Sequence, residues 1–182
     1  GSGTPSIVVG VKSWQYLAYS PDLKLQWKNV IYAHSATVAA VADLDGDGLQ
    51  ETVAGNAYYC MNVIDAHGKR RLKAGRFGPE QTAVATGDLN GDGKHEIILG
   101  TDGGDILAFS LDGTQLWERN VGDRVSDIEI IQLDGKTSIV TASESGYVWS
   151  LDTAGEPTWR TNLHSPVRCL GRIPNGYMCA AS

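Results

Sequence analysis

A segment that repeats every 45 residues constrains the fold more than any other feature of the sequence. TVAAVADLDGDGLQETVAG begins at Thr37, and TAVATGDLNGDGKHEIILG begins at Thr82. Three glycines keep the same spacing: Gly10, Gly55 and Gly100. A more divergent copy begins at Val125 and another at Val167. Such a chain is expected to stack similar units against one another.

Each full copy contains four short stretches rich in aliphatic, β-branched and aromatic residues, which we label strands A to D in chain order. ILAFSL is an example of strand C, and TQLWERN of strand D. The 22 glycines favour tight turns between short strands. Four strands in 40 to 50 residues are typical of a β-propeller blade, whose sheet buries both faces on its neighbours. We therefore predict an all-β propeller of about four antiparallel blades.

The repeats predict one domain and a short tail. We expect residues 1–4 to be an N-terminal tail left by cloning, and residues 5–182 to form a single propeller domain. The predicted blades cover residues 5–36, 37–81, 82–124, 125–166 and, in part, 167–182. The first copy lacks strand A and the last supplies only strands A and B, so the strands number seventeen.

A closed ring of four four-stranded blades needs one strand fewer, which leaves three arrangements open. The chain is part of a larger propeller, or two chains combine into a larger ring, or one terminal strand is displaced while Val167–Ile173 supplies the missing inner strand. Unpaired sheet edges invite partner strands. Self-association is therefore one expectation.

Two similar acidic loops connect strand A to strand B. Residues 43–51 are DLDGDGLQE, and residues 88–96 are DLNGDGKHE. Side-chain oxygens at positions one, three, five and nine, with a backbone carbonyl at position seven, suit calcium, and crowded carboxylates favour a cation. The alternative is a pair of Asp/Gly turns that need no ion. We predict two calcium ions, bound by Asp43, Asp45, Asp47, Leu49, Glu51, Asp88, Asn90, Asp92, Lys94 and Glu96.

These motifs resemble known propeller repeats. The DxDGDG pattern resembles the FG-GAP or VCBS repeats of integrin α-subunits and bacterial secreted proteins. GDGKHEIILG is similar to the calcium loops of bacterial rhamnogalacturonan lyase propellers, and GDILAFSLDGTQLW is similar to quinoprotein-type blades. The resemblance implies calcium binding and an extracellular or periplasmic location, while the quinoprotein likeness implies architecture only.

The sequence favours a non-catalytic module over an enzyme. It contains no GxSxG, HExxH or phosphate-loop motif. We therefore expect a module that binds a glycan or a protein, or holds domains together, with calcium as a structural ion. The alternative is a segment of an extracellular polysaccharide-degrading enzyme such as a rhamnogalacturonan lyase-like propeller.

Charge and hydropathy exclude two classes of partner. The 15 Lys and Arg residues against 21 Asp and Glu residues give a net charge of -6, so no nucleic-acid partner is expected. No apolar run approaches the ~20 residues of a membrane helix, so no membrane insertion is expected. Three cysteines are too few for a disulfide framework, and we expect small core residues, although Cys169 and Cys179 could face each other on a hairpin.

A ligand is expected on the face opposite the acidic loops, where the B–C and D–A connections meet. Loops vary while blades must keep packing, so function is expected there. Trp14 and Tyr59 share one repeat position and could stack on a sugar ring, or they pack locally. The candidates are Trp14, His34, Tyr58, Tyr59, Arg76, Asp102, Asp105, Arg124, Glu144 and His164.

The recurring aromatic and acidic residues on the outer strands predict structure rather than function. The residues that close strand D are expected to pack between blades: Trp27, Leu72, Trp117 and Trp159. Asp112 and Asp152, in the LDG and LDT segments, are expected to form turns.

Overall fold

The computed structural model places seventeen β-strands in five antiparallel sheets. It describes residues 6–31, 34–58, 60–74, 78–133, 135–173 and 176–181, with residues 133, 172–173 and 176–181 described by their backbone alone. These residues include no helix, and so none with the length and apolar character needed to cross a membrane. The all-β prediction is confirmed.

The strands follow the predicted A to D order. The first blade contains β1 (Ile7–Val11), β2 (Gln15–Tyr19) and β3 (Leu25–Val30). The second contains β4 (Ala36–Ala42), β5 (Glu51–Asn56), β6 (Met61–Ile64) and β7 (Arg70–Ala74). The third contains β8 (Gln81–Gly87), β9 (Glu96–Thr101), β10 (Asp105–Phe109) and β11 (Gln115–Asn120). The fourth contains β12 (Val125–Leu133), β13 (Lys136–Ser143), β14 (Tyr147–Leu151) and β15 (Pro157–Asn162). The fifth contains β16 (Val167–Ile173) and β17 (Gly176–Ala181).

The core lies between successive blades. One cluster joins Val53 and Met61 of the second blade to Leu99 and Phe109 of the third. Similar clusters join the first blade to the second, the third to the fourth, and the fourth to the fifth. Because the central strands meet a neighbour on each face, β5 and β9 are buried along their whole length. This packing is the radial arrangement predicted from the repeat.

Close contacts between blades explain the recurring tryptophans and glycines. A Cβ added to Gly68 would lie 2.5 Å from Trp27, and one added to Gly155 would lie 2.7 Å from Trp117. Both glycines have positive φ, so they supply the turn and leave room for the indole ring. Trp27 and Trp117 therefore pack between blades as predicted, whereas Trp159 is exposed.

The C–D turns also form as predicted. The Oδ1 atom of Asp112 accepts hydrogen bonds from the Ser110 hydroxyl and the Thr114 N–H. In the next blade, the Oδ1 atom of Asp152 accepts from the N–H groups of Ala154 and Glu156. These aspartates hold the turns with their side chains.

The first blade is not completed by the end of the chain. The hypothesis that Val167–Ile173 supplies its missing inner strand is wrong for the described chain, because β16 pairs with β17 and β1 pairs only with β2 in its sheet. β16 and β17 form a short local hairpin, and closing such a small loop loses less chain entropy than distant pairing. The described chain is an open arc of blades.

One face of the first blade is consequently uncovered. Ile7 and Val9 are 48% and 38% exposed. Their repeat equivalents in the third blade, Ile97 and Leu99, are 0% and 1% exposed because they pack against the second blade. The apolar pattern of the first blade is therefore that of an interface between blades.

The cysteine predictions are partly wrong. Cys60 is buried, as expected of a small core residue, but Cys169 is exposed. The register pairs Cys169 with Ala180 and Leu170 with Cys179, so the two cysteines do not face each other across the hairpin. The side-chain environment of Cys179 lies outside the described part of the chain.

Candidate metal centres

The two acidic loops occupy equivalent places in neighbouring blades. The first loop, residues 43–51, joins β4 to β5, and the second loop, residues 88–96, joins β8 to β9. Both therefore connect an inner strand to the next strand outward. The loops also touch, because the N–H of His95 donates to the carbonyl oxygen of Leu44 at 2.9 Å.

The first aspartate of each loop organises its backbone. In the first loop, the Asp43 carboxylate accepts hydrogen bonds from the N–H groups of Gly46 and Gly48 at 2.8 and 2.9 Å. In the second loop, the Asp88 carboxylate accepts from Gly91 and Gly93 at 2.7 and 2.9 Å. All four glycines have positive φ, which the tight curl of the backbone requires.

The fifth-position aspartates stabilise the end of each curl. Asp47 accepts a hydrogen bond from the N–H of Leu49, and Asp92 accepts one from Lys94, each at 2.8 Å. The predicted ligand role of the Leu49 and Lys94 carbonyl groups stays a prediction.

The ninth-position glutamates are the first residues of β5 and β9, and their buried carboxylates bind the backbone at the start of each loop. Glu51 is 1% exposed and accepts a hydrogen bond from the N–H of Leu44 at 3.0 Å. Glu96 is 4% exposed and accepts from Leu89 at 2.8 Å. Leu44 itself is buried in the core between the second and third blades. The loop conformation is thus linked to the packing of these blades.

Arg71, a residue outside the sequence motif, distinguishes the first loop from the second. Its Nη1 atom lies 2.8 Å from Oδ2 of Asp45 and 3.5 Å from Oε1 of Glu51. Asp43, Asp45 and Glu51 offer oxygens that all lie within 4.8 Å of one another. A guanidinium group from strand β7 therefore reaches the carboxylate cluster of this loop.

The second loop has a neutral amide at the corresponding third position. The Nδ2 atom of Asn90 donates to Oδ2 of Asp92 at 3.3 Å and to Oε1 of Glu96 at 3.1 Å. Rotation of the amide would present its oxygen in place of its nitrogen. The rotation moves no charged group, but it breaks the hydrogen bond that Asn90 Oδ1 accepts from the N–H of Asp92 at 2.8 Å.

Hydrogen bonds and burial shift the pKa values of three carboxyl groups. The hydrogen bond from Arg71 lowers the pKa of Asp45. Burial raises the pKa of Glu51, against the Leu44 N–H, which lowers it. The Gly93 N–H lowers the pKa of Asp88. A buried carboxylate with a raised pKa, such as Glu51, gains from a nearby cation.

The opposite face contains the predicted ligand residues as separate local groups. His34 and Tyr58 form a tilted ring pair with centroids 5.1 Å apart. Arg124 and Glu144 form an ion pair at 3.3 Å. The Asn120 amide donates to Asp105 at 2.8 Å.

Three further candidates on this face are exposed. Trp14, at 49% exposure, and His164 both have positive φ, and Asp102 is exposed. Tyr59 and Arg76 lie outside the described residues. Among the candidates that the structure describes, some therefore lie together in pairs, but they are not gathered into one pocket.

Sequence reasoning missed Arg71 because it lies 20 residues beyond the first loop, on the outermost strand. Only the fold places β7 near the A–B loop. A comparison of the repeats could have indicated it, because the equivalent residue 45 positions later is the uncharged Leu116, so the charge at residue 71 is specific to the blade of the first loop.

Comparison with known proteins agrees with this architecture. Residues 81–116 match the FG-GAP repeat family. No curated protein sequence matches the chain. A crystal structure of BBS1N in complex with ARL6DN, soaked with mercury, is similar with a TM-score of 0.75 and 12% identity over 97% of this chain. A second crystal structure of that complex, soaked with lead, gives a TM-score of 0.75 and 14% identity over 97% of this chain.

These similarities define the class of fold. The chain has a β-propeller-type fold, arranged as part of a ring, and one of its blades matches the FG-GAP repeat. It spans 58% and 56% of the length of the two BBS1N chains. At these identities the likeness concerns the fold alone.

Proposed function

We propose that this chain is a non-catalytic β-propeller module that binds a protein and is stabilised by calcium in its two acidic loops. One observation carries the proposal: the two loops form matching hydrogen-bond cages, each closed by a buried glutamate. In the first loop, Asp43, Asp45 and Glu51 offer oxygens that lie within 4.8 Å of one another, and a divalent cation would stabilise such a group of carboxylates.

The donor chemistry of the loops fits calcium. The first loop offers Asp43, Asp45, Asp47 and Glu51, and the second offers Asp88, Asn90, Asp92 and Glu96, all with hard oxygen atoms. The backbone carbonyls of Leu49 and Lys94 would complete the two sets. The contact between His95 and Leu44 would let an ion in either loop stabilise the neighbouring blade as well.

The face opposite the loops is the proposed surface for a protein partner. Trp14 and Tyr58 are 49% and 51% exposed there. Exposed aromatic residues are enriched at protein interfaces. The similar BBS1N propeller is in a complex with ARL6DN. The exposed aromatic residues suit a protein or a glycan, and the complex supports a protein as the ligand. The lyase alternative and the extracellular location stay untested predictions.

The uncovered face of the first blade supports a second interaction, self-association. Ile7 and Val9 are exposed at positions that are buried between blades elsewhere in the chain. A second copy is therefore proposed to cover them. Light scattering at micromolar concentration should detect a dimer that the Val9→Lys change disrupts. A monomer across that range would contradict this part of the proposal.

Calcium binding can be tested by metal analysis and melting. After gel filtration in calcium the protein should retain the ion, and a chelator should lower the melting temperature. The Asp43→Asn, Asp88→Asn double variant should lose both effects. Asp112→Asn removes an exposed turn carboxylate of the same type and is the matched control. Absence of retained calcium together with unchanged melting would show that the loops are ordinary turns.

A further inference from the structure

Arg71 places its positive charge beside the carboxylates of the first loop, where a bound cation would also neutralise their negative charge. Its guanidinium contacts Asp45 at 2.8 Å and approaches Glu51 at 3.5 Å, and both carboxylates belong to the converging cluster of this loop. The side chain of Arg71 is 40% exposed while that of Glu51 is 1% exposed. The positive charge therefore approaches the buried carboxylate from the solvent side.

The second blade contains this ion pair and the third blade cannot form it. The equivalent residue of the third blade is Leu116, and the third position of its loop is Asn90 in place of Asp45. The aspartate and the arginine that bind each other in the second blade are thus both absent from the third. The second loop keeps neutral groups at these two positions.

We propose that Arg71 acts as an internal cation in the first loop and competes there with calcium, so that the second loop is the tighter calcium site. This inference rests on the proposed calcium function and adds a ranking of the two sites. Calcium entering the first loop would compete with the guanidinium for Asp45, because Oδ1 of Asp45 accepts a hydrogen bond from the N–H of Asp47 at 3.3 Å and Oδ2 is the oxygen that Arg71 binds. Calcium entering the second loop displaces no charged group, although rotation of the Asn90 amide gives up the hydrogen bond that Asn90 Oδ1 accepts from the N–H of Asp92 at 2.8 Å.

The competition predicts opposite effects of one substitution on two properties. Arg71→Leu, which installs the residue of the third blade, should raise the calcium affinity of the first loop by up to about fivefold, the factor expected when one partly exposed ion pair no longer has to be broken. The same variant should melt at a lower temperature than the wild type in chelator, because the carboxylates lose their counter-charge. A purely structural arginine would lower stability without raising affinity.

Isothermal titration calorimetry of the full chain with calcium chloride tests the inference. Asp43→Asn and Asp88→Asn assign the two binding events to the first and second loops. Arg70→Leu removes the same charge from the same strand and is the matched control. Arg71→Lys keeps the charge and should remain close to the wild type. If Arg71→Leu unfolds, Arg71→Gln provides the same test with a polar side chain.

Each outcome separates the inference from the function on which it rests. We expect the second loop to bind calcium with the same high affinity in all Arg71 variants. The calcium affinity of the first loop should rise only when the charge at residue 71 is removed. Calcium binding at both loops with no response to Arg71→Leu would overturn the inference and leave the calcium function intact. Failure of every variant to bind calcium would overturn both.

Discussion

The first loop, residues 43–51, and the second loop, residues 88–96, share a backbone conformation but differ in their charges. In both, the first aspartate binds two glycine N–H groups and the last glutamate binds a leucine N–H. The first loop contains four carboxylates and receives Arg71 from a neighbouring strand, whereas the second contains three and has Asn90 in place of the fourth. Local hydrogen bonds thus set the shape of these loops, and the surrounding blade sets their charge balance.

Their burial differs as well. Leu44 is 1% exposed and belongs to the core, while Leu89 is half-buried. The hydrogen bond that the Leu44 N–H donates to Glu51 is therefore more deeply buried than the one that the Leu89 N–H donates to Glu96. A change at the first loop should disturb the core more than the same change at the second.

Removal of the glutamates should have the largest effect. Glu51→Ala leaves the buried Leu44 N–H without an acceptor and should lower the free energy of unfolding by about 3 kcal/mol, against about 2 kcal/mol for Glu96→Ala. Urea denaturation in chelator measures both. The matched Glu→Gln variants keep an acceptor oxygen and should lose less. Equal losses for Gln and Ala would show that the hydrogen bonds contribute little.

Calcium removal should have the next largest effect. An ion at 100 times its Kd stabilises the native state by about 2.7 kcal/mol, which corresponds to roughly 5–10 °C in Tm for a chain of this size. Asp88→Asn should abolish most of this shift and Asp43→Asn a smaller part, because Arg71 weakens the first site. Calorimetric melts with and without chelator test the ranking. A larger loss from Asp43→Asn would reverse it.

The pH dependence should separate the loops in metal-free protein. Because Arg71 lowers the pKa of Asp45, this ion pair stabilises the fold above the ordinary Asp pKa, and its contribution is lost as pH falls through the lowered value. Arg71→Leu should raise the pKa of Asp45 and leave that of Asp88 unchanged, since Gly93 supplies the latter's hydrogen bond. Carbon-detected NMR titration of the carboxyl groups measures this. A parallel shift of both would contradict it.

The smallest effect is expected at an acidic turn outside the loops. The Ser110 hydroxyl and the Thr114 N–H lower the pKa of Asp112 to about 2. Asp112→Asn should lower Tm by about 2 °C or less, equally with and without calcium, because this turn needs no ion. Melts in both conditions provide the check. A calcium-dependent change would mean that ions bind acidic turns of this chain without selectivity.

The repeat predicted most of the fold because its strands are local and its spacing is regular. A strand assignment needs only short apolar stretches and turns, so β9 and β10 follow from EIILG and DILAF directly. The inter-blade role of Trp27 and Trp117 followed from their recurrence at one position. The hydrogen bonds that shape each acidic loop likewise join residues within the same nine-residue segment, so they depend on local sequence.

Pairing between distant elements was less predictable. The pattern of β16 suits the inner edge of the first blade, but the adjacent β17 offers a partner through a short hairpin. Arg71 was missed for the same reason, since its contact with Asp45 exists only once β7 and the first loop are brought together. Local patterns specify elements, whereas charge balance at a site depends on the strands that the fold places beside it.

Anomalous X-ray diffraction from crystals grown in calcium measures the occupancy of both loops directly. We predict a calcium peak within the second loop, among Asp88, Asn90, Asp92 and Glu96, and a weaker peak or none in the first loop, where Arg71 remains on Asp45. Crystals of Arg71→Leu should show comparable peaks in both loops. A stronger peak in the wild-type first loop would reverse the proposed ranking of the two sites, and no peak in either loop would show that the loops do not bind calcium.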